Sequence, residues 1–316
     1  MNILKSYIDY ESLIAILNSV YKLNINEIFL HRDMIGHVYI AKSSSKKYAL
    51  KVYRPFNQEQ ALQSVEIIQY LRSKEYPVVS IVSAVLGDLS FSVATPDGQC
   101  IAILFDYIEG TEPNSRAEIT EIGEQIGSLH NLMNNYLNPL ICRGKNFYID
   151  RFIEMLRESQ YCEARIKELE QYGFEIWKSI EKAPSGFCHG DLHTGNMFKN
   201  EIGEYVLFDF DIASNAYPLI DITTICNDTD FNKLEEATYD STALKLEQFY
   251  KGYGKYRNIS DDEIVAIYNF IAARHYELIA TITECQGWHS LKNGLFDEQY
   301  KWLLKWRDIC YKKKLR

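Results

Sequence analysis

His189-Gly190-Asp191-Leu192-His193-Thr194-Gly195-Asn196 sets an aspartate five residues before an asparagine, and Asp209-Phe210-Asp211 begins thirteen positions after that asparagine. Four specified residues at this spacing (His189, Gly190, Asp191, Asn196) arise by chance about once in 500 chains of this length, at about 1/20 per position. Phosphoryl transfer needs an aspartate that orients an attacking hydroxyl, and hard oxygen ligands for the Mg²⁺ that bridges nucleotide phosphates. Asp191 suits the first role; the amide oxygen of Asn196 and the carboxylate of Asp209 suit the second. The apolar run Tyr205–Phe208 fixes Asp209 at a strand end. The plainer alternative is a surface loop rich in Asp, His and Gly beside a core hairpin.

The elements that must hold these residues divide near position 110. Apolar residues at helical spacing over 10–22 predict an N-terminal helix, followed by β-like runs at Glu27–Leu30, His37–Ala41 and Lys47–Tyr53. Asn57 with Gln60 has the form of a capping box for a helix to about Glu75. Strands follow near 78–86 and 89–94, and Asp97-Gly98 reads as a hairpin turn into a strand over Gln99–Tyr107. Past the polar link 111–114, Ser115-x-x-Glu118 caps a helix to about Met133, and helices are expected near 150–171, 241–254, 262–284 and 296–312, with a β-rich interruption at 186–212. The plan is α+β: an N-terminal lobe (1–109) of sheet plus one helix, then a larger, mainly helical lobe (110–316).

With those motifs in place, the chain resembles the aminoglycoside phosphotransferase and choline kinase superfamily, small-molecule kinases built on the protein-kinase-like fold. HGDLHTGN is similar to that family's H-G-D-x-x-x-x-N loop, and LFDFD to its metal-binding acid on the next strand. The resemblance implies a two-lobed fold, ATP and Mg²⁺ as cofactors with GTP as another possible donor, and a set of supporting residues. It makes Lys51 the strand lysine on the α/β-phosphates, paired with Glu66 (Glu59 being the competitor). It makes Ile103–Gly110 the hinge, where the Asp106 carbonyl and Ile108 amide meet adenine with Phe105 behind the ring. It gives Asp221 the task of bracing the catalytic loop, although Asp221 can equally be a helix N-terminal acid. His189 orders the loop, His193 is a loop variant with a structural role, and His130 reads as a packed helix histidine. Asp211 either reaches metal or substrate or caps a turn. The phosphate-covering loop departs from the pattern: Arg32–His37 contains one glycine and no G-x-G-x-x-G.

Charge bears on what is phosphorylated. The 316 residues hold 34 Lys and Arg against 43 Asp and Glu, a net of −9, which argues against a nucleic-acid partner. Residues 216–300 alone carry 14 acids and 7 bases. An acidic cleft attracts a cationic amine, and Asp228, Asp230, Glu277 and Glu284 are the carboxylates to examine; solvated acidic helix faces are the alternative. Asp221 follows Asp209 by only twelve positions, too few for an activation segment and a peptide platform. The expected activity is therefore phosphorylation of a hydroxyl on a small, amine-bearing metabolite or antibiotic. A compact stress-response-type protein Ser/Thr kinase and a non-catalytic nucleotide sensor are the alternatives. The MNILKSYIDYES start meets charge too early for a signal peptide, and no apolar run is long enough for a membrane helix. Seven scattered cysteines without a C-x-x-C pair suit a reducing cytoplasm. The acceptor's identity and the oligomeric state are not legible.

Overall fold

The computed structural model describes residues 8–34, 36–95, 98–287 and 294–314. In chain order its first elements are α1 (Tyr10–Tyr21), β1 (Glu27–Asp33), β2 (Gly36–Lys42), β3 (Lys47–Tyr53), α2 (Gln58–Ser73), β4 (Phe91–Thr95) and β5 (Gly98–Asp106). Then come α3 (Ile119–Met133), α4 (Arg151–Glu158), α5 (Glu163–Ile180), β6 (Gly186–Cys188), β7 (Met197–Lys199), β8 (Tyr205–Leu207) and β9 (Ser214–Ala216). Helices α6 (Leu219–Cys226), α7 (Ala237–Tyr253), α8 (Asp261–Gln286) and α9 (Leu295–Lys314) complete the chain. The elements separate into two units, Met1–Glu112 with Asn196–Ile212, and Pro113–Gly195 with Ala213–Arg316.

The first unit is an antiparallel sheet in the order β1-β2-β3-β5-β4. Side chains alternate across a strand, and β3 uses both faces. Tyr48, Leu50 and Val52 join Leu13 and Leu17 of α1 in one apolar cluster. Lys51 and Tyr53 therefore point to the opposite face. The predicted strand over 78–86 is reduced to isolated bridges, Val78 with Leu207 and Ile81 with Phe105. Pro77 just before it and the turn at Gly87 leave little room for a continuous ladder. Asn57 is the N-cap of α2 but supplies no side-chain cap, because Pro55–Asn57 already forms a 3₁₀ turn. Asp97 of the expected hairpin turn, Ile35 of the Arg32–His37 loop and residues 1–7 of the N-terminal stretch lie outside the described residues.

The second unit is helical. α8 spans 26 residues, about 39 Å at 1.5 Å per residue, and is fixed at its start by a capping box between Ser260 and Glu263. The start of α3 differs from the expected Ser115 cap. Glu118 is the helix's N-cap without a side-chain bond, and Asn114 caps the turn at 115–118 that leads into it, its Oδ1 accepting from the Arg116 and Ala117 amides (2.9 Å each) while Glu118 Oε1 accepts from the Asn114 amide. α3 lies very close to α7: a Cβ on Gly252 would stand 1.9 Å from the Thr120 carbonyl oxygen. The helix expected over 150–171 breaks at 159–162 into α4 and α5, and a single π-helical turn, Asn146–Asp150, precedes α4. Among the described residues no helix is long and apolar enough to cross a membrane, and all seven cysteines are free thiols.

Candidate active site

In the first unit the β7–β8 hairpin brings the two proposed metal ligands to one end. Met197 pairs with Leu207, so Asn196 just precedes one strand and Asp209 follows the other. The Phe208 amide donates to the Asn196 carbonyl (3.1 Å), extending the ladder by one bond. Asp209 itself sits at φ 66°, a left-handed conformation that L-residues adopt at a cost of order 1–3 kcal/mol and that clusters at functional sites.

Lys51 reaches this end from β3. Its Nζ lies 2.6 Å from Asp209 Oδ1 and 2.6 Å from Asp211 Oδ2, and the Tyr53 hydroxyl donates to Asp211 Oδ1 (2.9 Å). Burial pulls the ammonium's pKa down, but Asp209 and Asp211 outweigh it and hold the value well above the ordinary lysine range. Burial raises the Asp211 carboxyl against the opposing pull of Lys51. Asp211 is buried and faces Lys51 and Tyr53. Glu66, the expected partner of Lys51, stands exposed on α2, and the ion pairs of Lys51 go to Asp209 and Asp211 instead. Glu59, Leu62, Glu66 and Gln69 share the solvent face of that helix, whereas Ala61, Ser64, Val65 and Ile68 face inward. In the hinge segment, Phe105 is buried opposite Ala49. The Asp106 side chain takes Lys46 (2.6 Å), its amide donates to the Ser80 carbonyl (2.9 Å), and Ile108, half-buried, follows where the chain leaves the sheet.

In the second unit the loop 189–195 is built around a buried carboxylate. Asp221, fully buried in the first turn of α6, accepts from the His189 amide and the Gly190 amide, both at 2.8 Å. Its Oδ2 also lies 3.0 Å from His130 Nε2, whose Nδ1 is 3.0 Å from the Tyr253 hydroxyl. Gly190 takes φ 85°, which a side chain would resist. The Gly195 amide donates to His193 Nδ1 (3.0 Å) and the His193 amide to the Asp191 carbonyl (3.1 Å); with Nδ1 accepting, His193 orders the loop.

Asp191 is held by a residue that motif reading does not find. Arg274 of α8 ion-pairs with both Asp191 and Glu277. Burial pulls this guanidinium's pKa down, and Glu277 and Asp191 more than restore it. Glu277 also meets Arg151 (3.4 Å), and Arg151 meets Glu284 (3.0 Å) and the Thr281 hydroxyl (2.8 Å). Two of the four acids picked from charge density thus stand in a ladder leading from Asp191. The other two stand elsewhere. Asp228 is bound by Arg116 (2.6 Å), Ser241 (2.6 Å) and Lys245 (3.4 Å). Asp230 accepts from the Asn232 and Lys233 amides. Both line a recess of about 370 Å³ with His193, Thr194 and Ser115. Arg274 left no sequence signal because it is one cation inside a mostly buried helix, and only the fold selects its partner.

The model of the phosphotransferase enzyme family matches residues 29–258. Among curated proteins, an uncharacterized protein of Synechocystis (sll1119) is 23% identical over 66% of this chain; this chain spans 62% of that protein's length. An uncharacterized protein of Deinococcus radiodurans is 21% identical, with 94% of this chain and 90% of that protein covered. Among solved structures, an amicoumacin kinase complexed with AMP-PNP, Ca²⁺ and its antibiotic superposes with a TM-score of 0.74 at 19% identity, covering 97% of this chain and 94% of that one. A microcompartment-associated aminopropanol kinase gives 0.70 at 15%, with 95% of both chains covered. The choline kinase LicA of Streptococcus pneumoniae gives 0.66 at 16%, covering 94% and 97%. All share a kinase-like fold with the chain described here.

Proposed function

Because this chain belongs to the phosphotransferase enzyme family, we propose that it transfers the terminal phosphoryl group of ATP to a hydroxyl of a small molecule. The observation that carries the reading is the hairpin end that brings Asn196 and Asp209 together beside the ammonium of Lys51. An amide oxygen and a carboxylate are oxygen-only donors, as Mg²⁺ requires, and Mg²⁺ completes its octahedron with phosphates and water. Asn196 and Asp209 would hold the ion, which when bound neutralises charge developing on the transferred group. Lys51 would place the phosphates, and the backbone of Asp106 and Ile108, with Phe105 behind, would hold the base.

Asp191 accepts the hydroxyl proton as the acceptor oxygen attacks, and the Asp221 brace keeps its loop in one conformation. A small acceptor is favoured over a protein because a 3₁₀ turn (Phe210–Ile212) and β9 fill the stretch between Asp209 and α6, leaving no peptide platform. The superposed structures act on an antibiotic, aminopropanol and choline by their names, which fits this size class. Free thiols throughout and use of ATP suit a cytoplasmic setting.

The test is nucleotide consumption by the full chain with Mg²⁺ over hydroxyl compounds. Asp191→Asn should lower kcat by about 10²–10⁴-fold, the usual worth of general-base help, with Mg·ATP binding retained. Asp209→Asn should abolish Mg²⁺-dependent nucleotide binding. Full turnover by Asp191→Asn removes the proposed base. Label appearing on protein in a lysate and on no metabolite would favour a protein kinase. Binding of Mg·ATP with no transfer to anything would favour a sensor.

A further inference from the structure

We propose that Arg143 and the Tyr148 hydroxyl form a subsite for an anionic group on the acceptor, a carboxylate or a phosphate. The inference rests on the phosphotransfer reading and adds the substrate's class. It begins with the ladder in the second unit. Asp191, Glu277 and Glu284 are three carboxylates, and Arg274 and Arg151 engage all three. An ammonium group entering here would have to displace a guanidinium. All three carboxylates are therefore already paired with guanidinium groups, which cancel two of their three charges.

A further cation stands beside the ladder. Arg143 makes no ion pair and no side-chain hydrogen bond among the described residues, and its buried Nε has no partner. Its guanidinium lies 4.0 Å over the Phe147 ring, and Arg151 lies 4.6 Å from the same ring. Arg151 thus reaches from the ladder at Glu277 to the ring that carries Arg143. Burial depresses the Arg143 pKa, and Tyr148 and Glu277 are the leading opposing influences; an arginine remains charged through this.

Tyr148 supplies the second observation. It is 1% exposed, its ring packs on Phe147 (5.0 Å) and Trp177 (6.2 Å), and among the described residues its hydroxyl has no hydrogen-bond partner. A buried hydroxyl without a partner requires an explanation, since most are satisfied. Arg143, Arg274 and Glu277 all lie within its electrostatic reach. Phe147 and Tyr148 stand on the π-helical turn before α4, a rare geometry frequent at functional sites. A planar fork of donors beside an O–H donor is the chemistry that binds a carboxylate or phosphate.

The experiment measures equilibrium binding to the full chain in the presence of Mg²⁺ and AMP-PNP. The probes are 4-hydroxybutyrate, serine and homoserine with their methyl esters, glycerol 3-phosphate and ribose 5-phosphate with glycerol and ribose, and ethanolamine. At least one anionic probe should bind, and Arg143→Gln should weaken it by about 10- to 100-fold, as expected for a charge-assisted bidentate contact. Carboxylates losing affinity on esterification identify one source; binding confined to phosphomonoesters identifies the other. Tyr148→Phe should weaken the same probe by about 3- to 10-fold with thermal stability unchanged or raised, because the hydroxyl has no partner to lose. A fall in stability for Tyr148→Phe would assign that hydroxyl to the fold and overturn its part. No anionic probe binding, or equal binding to Arg143→Gln, overturns the subsite. Transfer to ethanolamine with a KM unchanged by Arg143→Gln overturns it as well, while leaving phosphotransfer standing. Failure of the phosphotransfer reading has its own signature, Mg·ATP bound with no transfer to any hydroxyl compound.

Discussion

Replacing Asp221 removes the acceptor of three buried donors at once: the His189 amide (2.8 Å), the Gly190 amide (2.8 Å) and His130 Nε2 (3.0 Å). Leaving a buried donor unpaired costs about 1–3 kcal/mol, so Asp221→Ala should destabilise the helical unit by about 3–5 kcal/mol, the range for breaking a buried charged pair. Asp221→Asn keeps the volume and one acceptor oxygen but turns an amide N–H₂ toward donors, and should cost about 2–4 kcal/mol. Urea unfolding followed by near-ultraviolet circular dichroism reads both. A double-mutant cycle with His130→Phe should give a coupling of about 1–3 kcal/mol, because the two side chains touch. Under conditions where Asp221→Asn is still folded, kcat should fall more than tenfold with Mg·ATP affinity unchanged, since the brace ends at Gly190, the residue before Asp191. An Asp221→Asn protein less than 1 kcal/mol weaker, or an additive cycle, would refute the reasoning that this carboxylate organises the loop.

Two further outcomes test the packing of the same unit. His275 is buried, pairs with Gln299 (2.6 Å) and stacks on Trp302 (3.7 Å), and burial pushes its pKa down from 6.5 to about 3. The folded form therefore stays neutral while the unfolded chain protonates, so stability is complete above about pH 6.5 and falls by about 1.4 kcal/mol per pH unit below it. Urea midpoints between pH 7.5 and 5 should show that slope, and His275→Phe should reduce it. Gly252→Ala separates two effects of opposite sign. Helix propensity alone would stabilise by about 1 kcal/mol, whereas a methyl 1.9 Å from the Thr120 carbonyl and 2.6 Å from the Glu124 amide should destabilise by about 3 kcal/mol. A stabilised variant in thermal melts would mean that α3 and α7 separate at little cost.

What could be read from the sequence followed how local the determinant was. The loop residues Asp191 and Asn196 and the acid Asp209 stood out because phosphoryl transfer asks for one residue type at a fixed offset. The strand β3 was legible because it alternates buried and less buried side chains, and β5 because its apolar run is buried from Cys100 to Phe105. Lys51 was found, but its partner was not. Whether Glu66 or Asp209 receives its ammonium depends on which face of α2 turns inward, and that is a property of the packed sheet. Ser115 was read as the α3 cap from its S-x-x-E spacing, whereas the side-chain cap there is made by Asn114 on the turn that precedes the helix. His130 reads as a packed helix histidine, and it is buried; that it reaches Asp221 and Tyr253 is set by the crossing of α3, α6 and α7. Arg274 and Arg143 carried no local sign at all. Opposite charges 83 residues apart meet only in three dimensions, so composition reported the acids without the cations that answer them.

The sheet unit draws seventeen of its residues, Asn196–Ile212, from beyond the first half of the helical unit. Expressing only the leading 112 residues would leave the buried ammonium of Lys51 with neither of its counter-charges, and the sheet would lose the hairpin that Val78 bridges. Such a fragment should aggregate rather than bind nucleotide. A gene fusion or a split-protein reporter built on this scaffold therefore has to carry the later stretch along, and evolution faces the same restriction on recombining it.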